Sequence, residues 1–417
     1  MTELGAVSHL VEQLWAPLLD GGDIRIGIGA PDAGWRDLER YLALPSIGSA
    51  SMLLPAANRS VLAGSLLNFR ALRARGPRAQ REVLGRAARA GLPLPFPSVR
   101  LQTRLPEHER PMLPTEQITA ALGVPRVHAS IGIRTVANRK ATLQLVDDAG
   151  APLGFAKFAW ERTSAASVDR EAAALAELGG GTALLRTPRL LADGSWHGQP
   201  WLVSEPLPIH SRRPDPDVLP TAQELFALCP VVRFDRLDNS GQLQALRARI
   251  AGWRAADVET ELLAAVDRLL DDVAPLEAPI AARWHGDLTA WNCGRDEHDQ
   301  LWCWDWESTE PDAVAGLDAL HWTATGRTLR GERYGAPLLA AALDRAAPVL
   351  TAAGHSRASR IVVPAVYAAA LVERAVALTL GNGCWDDGWL RRDEATALVA
   401  AAQRLVDAHA ERHVGHR

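Results

Sequence analysis

Between Arg283 and Glu307 the chain gathers residue types that could carry out metal-assisted group transfer. The run Arg283-Trp284-His285-Gly286-Asp287-Leu288-Thr289-Ala290-Trp291-Asn292 is followed by Leu301-Trp302-Cys303-Trp304-Asp305-Trp306-Glu307. An aspartate and an asparagine separated by a short loop, with a second aspartate at the end of an apolar strand, make an oxygen-rich set suited to a hard divalent cation. Moving a phosphoryl group needs such a set, because the protein contributes mainly alignment and charge neutralisation. In that chemistry Asp287 orients a hydroxyl nucleophile and accepts its proton, while Asn292 and Asp305 hold the metal. The plainer alternative makes Asp287 and Asp305 turn residues beside a hairpin, a place Asp often takes.

The two runs resemble the kinase-like small-molecule phosphotransferases, the family of aminoglycoside, choline, homoserine and maltose kinases. There the catalytic loop reads HGDxxxxN and the metal-binding Asp follows a hydrophobic strand as IDWE or IDFE; HGDLTAWN and CWDWE match both. Gly286 stands where protein kinases carry Arg, which points to small-molecule rather than protein substrates. By this resemblance His285 supports the loop, Asp318 in AGLDALHW braces it, and the cofactors are ATP and Mg.

The resemblance also implies a strand Lys that touches the nucleotide phosphates and a Glu on the next helix that pairs with it. Lys157 in GFAKFAW and Glu171 in VDREAAALAEL have the order and spacing, with Glu161 and Glu177 as rivals. A Lys set among Phe155, Ala156, Phe158 and Ala159 needs a partner for its ammonium wherever the fold covers it. Ser130 to Lys140 lies where a nucleotide-covering loop belongs; Arg134, Arg139 or Lys140 could supply charge there or form a solvated basic turn. Ser204-Glu205-Pro206-Leu207 resembles the linker whose backbone reads adenine, which adds Glu205 to the expected cofactor-binding residues.

These residues need elements to position them. From Val127 the pattern turns to alternating strands, RVHASIGI, ATLQLVDD and LGFAKFAW, with a turn at Asp147 to Gly150. A helix is expected over Ser167 to Leu178, closed by Gly179, and a strand pair over TPRLLAD and QPWLVSEPL. Beyond Pro220 the chain reads as mainly helical, interrupted by strands and loops from Pro279 to Trp306. Residues 1 to about 115 hold a short helix (Leu10 to Leu19), a strand-like segment (Ile24 to Ala30) and an Arg-rich amphipathic helix (Gln80 to Ala90). The Pro-rich stretch Leu92 to Pro114 reads as an extended connector. The expected domains are therefore an accessory unit over 1–115, a small sheet-rich lobe with hinge over 116–208 and a helical lobe over 209–417.

At 417 residues the chain is long enough for two or three such units. Hydrophobic residues make up 47% and charged residues 23%, ordinary values for a globular protein, so no pervasive disorder is expected. A formal charge of -4 gives no global pull onto nucleic acid or an anionic membrane, and neither partner is expected. Four widely spaced cysteines without a CxxC pair fit a reducing cytoplasm. The N-terminus lacks the positive charge of a signal peptide, and no apolar run is expected to reach the length of a membrane span.

The whole predicts a bilobal α+β kinase-like fold that moves the γ-phosphoryl group of ATP to a hydroxyl of a small polar metabolite. A sugar, amino sugar or related alcohol is the first expectation for that substrate. The alternatives are an aminoglycoside-type antibiotic kinase and a catalytically inactive pseudokinase that serves as a binding module. Trp291, Trp304, Trp306 and Trp322 could stack on a sugar ring or fill the core. Glu307, Asp312, Asp386 and Asp387 could form an acidic rim or an ordinary solvated surface.

Overall fold

A computed structural model describes residues 7–8, 14–30, 33–69, 72–133, 140–385 and 388–414. The chain forms two compact units, one of Met1–Gly180 with Thr187–Arg213 and the other of Gly181–Arg186 with Pro214–Arg417. The border after Arg213 lies close to the expected end of the small lobe. No corresponding border falls near residue 115.

The reason lies in the sheet. The first unit carries strands β1 (Ile24–Ile28), β2 (Arg36–Leu44), β3 (Met52–Pro55), β4 (Ser98–Thr103), β5 (His128–Gly132), β6 (Lys140–Val146), β7 (Pro152–Ala159), β9 (Leu190–Trp196) and β10 (Gln199–Ser204). They make one nine-stranded antiparallel sheet in the order β1-β4-β2-β3-β5-β6-β7-β10-β9. Met52 pairs with Gly132 and Leu53 with Ile131, so the N-terminal strands continue the small-lobe sheet instead of folding apart from it. One apolar cluster runs across the seam, from Leu53 and Leu101 through Ile131 and Leu143 to Phe158 and Trp201.

The Pro-rich stretch expected to be a connector contains β4, a strand bonded on both edges, to β1 and to β2. Its polar residues are buried because they are partnered: Arg100 is ion-paired with Asp37, and Gln102 Nε2 donates to Asp37 Oδ1 at 2.9 Å. The Asp147 turn forms as read, with Asp147 Oδ1 accepting from the backbone N–H of Ala149 and Ala151 at 2.9 and 2.8 Å. Helix α2 (Arg59–Leu67), which follows α1 (Ala16–Leu19), grips this turn. Asn58 Nδ2 donates to Asp148 O and Asn68 Nδ2 to Gly150 O, at 3.1 and 3.0 Å. A Cβ on Gly64 would lie 2.2 Å from Gly150 O, so helix and turn touch backbone to backbone. The unit also holds α3 (Arg75–Arg89), α4 (Pro114–Leu122) and α5 (Arg162–Leu178), which starts five residues before the expected helix.

The second unit is mainly helical. It contains α6 (Ala222–Leu228), α7 (Gly241–Ala255), α8 (Thr260–Val273), α9 (Leu317–Thr328), α10 (Ala336–Ala352), α11 (Val362–Asn382) and α12 (Arg392–Val414). Two three-stranded sheets complete it. One joins β11 (Val231–Arg236), β12 (Glu277–Trp284) and β15 (Glu310–Val314); the other joins β13 (Cys293–Arg295) and β14 (Leu301–Cys303) to β8 (Leu185–Arg186). By length and composition the helical stretch Ser359–Leu380 is apolar enough to cross a membrane, contrary to the sequence reading, and 83% of its apolar window is buried inside the fold. Val366, Tyr367, Ala368 and Val372 are wholly buried, as in the core helix of a helical unit.

Candidate active site

The loop after β12 begins with a turn that only glycine can make. Gly286 has φ +84°, and a Cβ there would sit 2.1 Å from Ser308 O. Asp318, in the first turn of α9, accepts from both backbone N–H groups of the turn, His285 at 2.8 Å and Gly286 at 3.1 Å. Arg374 of α11 closes the third side by donating from Nη2 to Gly286 O at 2.9 Å. Burial raises the Asp318 carboxyl above its usual range.

His285 is buried, and its ring is fully used. Nε2 lies 3.0 Å from Trp304 O, while Asp287 N–H donates to Nδ1 at 3.2 Å. Nδ1 accepts and Nε2 donates, which is neutral imidazole; burial lowers its pKa in the same direction. Asp287 is therefore held through its own backbone, and His285 acts as a strut rather than a proton carrier.

Asp287 keeps 27% of its side chain exposed. Asn292 Nδ2 donates both to Asp287 Oδ2 at 2.8 Å and to Asp287 O at 3.0 Å. Both amide hydrogens are consumed there, which assigns the amide orientation and leaves Asn292 Oδ1 as an oxygen for a cation. The loop closes on itself through Asn292 N–H to Thr289 O at 3.1 Å. Asn292 then leads into β13, which pairs with β14, Cys293 opposite Cys303. Trp304 N–H donates to Asn292 O at 3.0 Å and ties the end of β14 to the loop. The next residue, Asp305, adopts the left-handed conformation at φ 70° and leaves the strand there. Asp287, Asn292 and Asp305 thus stand on two backbones that are bonded together, and each carries a side-chain oxygen.

In the first unit Lys157 lies on β7, opposite Thr142 of β6 and Leu202 of β10. Its Nζ donates to both carboxylate oxygens of Glu171 on α5, at 2.5 Å to Oε1. The side chains are 12% and 4% exposed, so this is a mostly buried pair. Of the rivals, Glu161 caps α5 and Glu177 is exposed. Glu205 follows β10. Its Oε2 accepts from Arg189 Nε at 2.5 Å and its N–H donates to Arg189 O at 2.9 Å, which leaves its carbonyl for any backbone recognition. Lys140 is completely buried and so belongs to no solvated turn; Arg134 and Arg139 lie outside the described residues.

Trp306 and Trp322 are core residues, 1% and 2% exposed, whereas Trp291 is at the surface. Asp312 is tied to Arg233 and to Gly241 N–H, and Asp386 and Asp387 lie outside the described residues. Two further residues, outside the motifs, contribute to the site. His321 bonds Asp287, and its signal was present, since it lies one helical turn after Asp318 in AGLDALHW. Arg374 left no local signal at all.

No protein-family model and no curated protein matches this chain. Solved structures of small-molecule phosphotransferases do resemble it. Macrolide 2'-phosphotransferase type I is 17% identical with a TM-score of 0.44, over 70% of this chain and 96% of that one. A thermostable mutant of aminoglycoside phosphotransferase APH(4)-Ia is 14% identical with a TM-score of 0.45, over 71% and 99%. A putative fructosamine-3-kinase from Haemophilus somnus 129PT is 12% identical with a TM-score of 0.40, over 71% and 96%. Likeness of this degree assigns no substrate, and the residues of the site carry the functional reading.

Proposed function

We propose that the chain is a magnesium- and ATP-dependent kinase that phosphorylates a hydroxyl of a small polar metabolite, a sugar, amino sugar or related alcohol. The observation that carries this reading is the Asp287–Asn292 pair. A carboxylate and an amide are locked to each other in a loop clamped by Asp318, His285 and Arg374, and the loop is bonded to the strand end that bears Asp305. Such pre-organisation is what phosphoryl transfer asks of a protein.

In the proposed reaction Asp287 accepts a hydrogen bond from the substrate hydroxyl and takes its proton as the new oxygen–phosphorus bond forms. The bond from the γ-phosphorus to the bridging oxygen breaks, and ADP leaves. Asn292 Oδ1 and Asp305 would hold magnesium, which neutralises charge on the phosphate oxygens. Lys157, oriented by Glu171, would donate to the phosphates, and the backbone near Glu205 would face the adenine. A pseudokinase has no chemical need for Lys157, Asp287, Asn292 and Asp305 together, and no described feature favours that alternative.

The test is ADP release from MgATP with a panel of sugars, amino sugars, choline-like alcohols and aminoglycosides, run with and without chelator. Asp287→Asn should keep MgATP affinity within a few-fold and lower turnover by about 10²- to 10⁴-fold. Turnover equal to that of the parent enzyme would remove Asp287 from its role. An aminoglycoside as the sole productive acceptor would replace the metabolite reading with the antibiotic one.

A further inference from the structure

At the carboxylate oxygen of Asp287 that Asn292 does not hold stands a row of groups that the proposed reaction leaves unused. His321 Nε2 lies 3.1 Å from Asp287 Oδ1. On the other side of the same ring, Nδ1 lies 3.1 Å from the hydroxyl of Tyr367. The Tyr367 hydroxyl also interacts with the phenol of Tyr334. His321 is 2% exposed and Tyr367 fully buried. The chain has only three tyrosines, and two of them meet here.

The chemistry of the acceptors fixes the direction of the row. An ionised carboxylate can only accept, so the proton between His321 and Asp287 sits on Nε2. Burial raises both phenols above their usual range, Tyr334 to about 12, so both keep their hydrogens near neutrality. Tyr367 can then donate to Nδ1, so both ring nitrogens of His321 have a partner.

We infer that His321 is a positioning residue for Asp287, held in its Nε2–H form by Tyr367. This rests on the kinase reading of Asp287. With Oδ1 held by His321 and Oδ2 by Asn292, the carboxylate has no free rotation about its last bond. Its remaining lone pairs point where the two helices and the loop direct them. A base fixed in this way meets a hydroxyl in a narrow range of orientations, which is where a fraction of an ångström changes the rate. The supports sit on rigid elements: His321 on α9, one turn from Asp318, and Tyr367 on α11, two turns from Arg374. The two helices that fix the backbone of the loop therefore also fix the direction of its carboxylate.

Two readouts test this, and only the second depends on catalysis. In full-length protein with 15N-labelled histidine, the resonances lost in His321→Gln identify the His321 ring. They should report Nε2 protonated and Nδ1 bare, and Tyr367→Phe should shift the Nδ1 signal. A ring protonated on Nδ1, or one indifferent to Tyr367→Phe, overturns the inference even if no acceptor is ever found.

With MgATP and the best acceptor of the panel, His321→Phe should lower kcat roughly 10- to 100-fold while KM for ATP stays within about 3-fold. His321→Gln, whose Nε2 can still donate to Oδ1, should recover most of that loss. Unchanged kcat in His321→Phe overturns the positioning role, and so does a His321→Gln variant as slow as His321→Phe. Parent enzyme that never releases ADP under any condition counts against the kinase reading, and the labelling result still decides the hydrogen-bonded row.

Discussion

At the scale of single residues the site is built from small exclusions. Gly286 is required because its φ of +84° and the 2.1 Å gap to Ser308 O leave no place for a methyl group. Gly286→Ala combines left-handed backbone strain with overpacking, each about 1–3 kcal/mol. The variant should lose about 3 kcal/mol in urea unfolding and displace Asp287. A midpoint within error of the parent would mean that the turn relaxes freely. His285 shows the opposite economy: it carries no reacting proton, yet both ring nitrogens are used to hold the backbone of Asp287 and Trp304.

At the scale of elements, β7 and α5 carry the other half of the proposed chemistry as a mostly buried ion pair. Glu171→Ala removes the carboxylate partner of an ammonium that is only 12% exposed, and a broken pair of this kind costs about 3 kcal/mol. Urea unfolding should show that loss, and MgATP affinity should fall with it. Glu171→Ala with unchanged stability and affinity would reduce the pair to an incidental contact.

The sequence was most readable where the pattern was local. The Lys157 strand, the Asp147 turn, the helix bearing Glu171 and the loop from His285 to Asn292 can all be read from periodicity, turn chemistry or a motif resemblance. What escaped depends on distant partners. Nothing in VRLQT announces that β4 pairs with strands some 60 to 80 positions upstream, and the flanking prolines pointed away from a strand. His321 and Arg374 matter because helices 30 to 90 residues downstream return to the loop, and no short window contains both ends of those contacts.

At the scale of the whole molecule, burial of neutral histidines sets a pH dependence. Burial lowers the pKa of His285 and of His355, whose Nε2 donates to Ala315 O at 2.9 Å. In the unfolded chain both titrate near 6.5, so the unfolded state binds more protons as pH drops below that value. Their contribution is thus complete above about pH 6.5 and is lost progressively as pH falls toward the lowered native values. The urea midpoint should fall between pH 7.5 and 5.5, above the range where carboxylates protonate, and His355→Gln should flatten the fall. An identical slope in that variant would assign the effect to other groups.

The path of the chain between its two units has a practical consequence. The backbone leaves the sheet unit at Gly180, supplies Leu185 and Arg186 as a strand beside β14, returns at Thr187 to lay down β9 and β10, and departs again after Arg213. No single scissile point therefore yields two intact halves. A protease nick after Arg213 would strand β8 on the wrong fragment, and a recombinant helical half begun at Pro214 would lack the outermost rung of the sheet that carries Cys293 and Cys303. Dissection of this protein calls for a split that grafts residues 181–186 back by a new covalent route, for example through circular permutation.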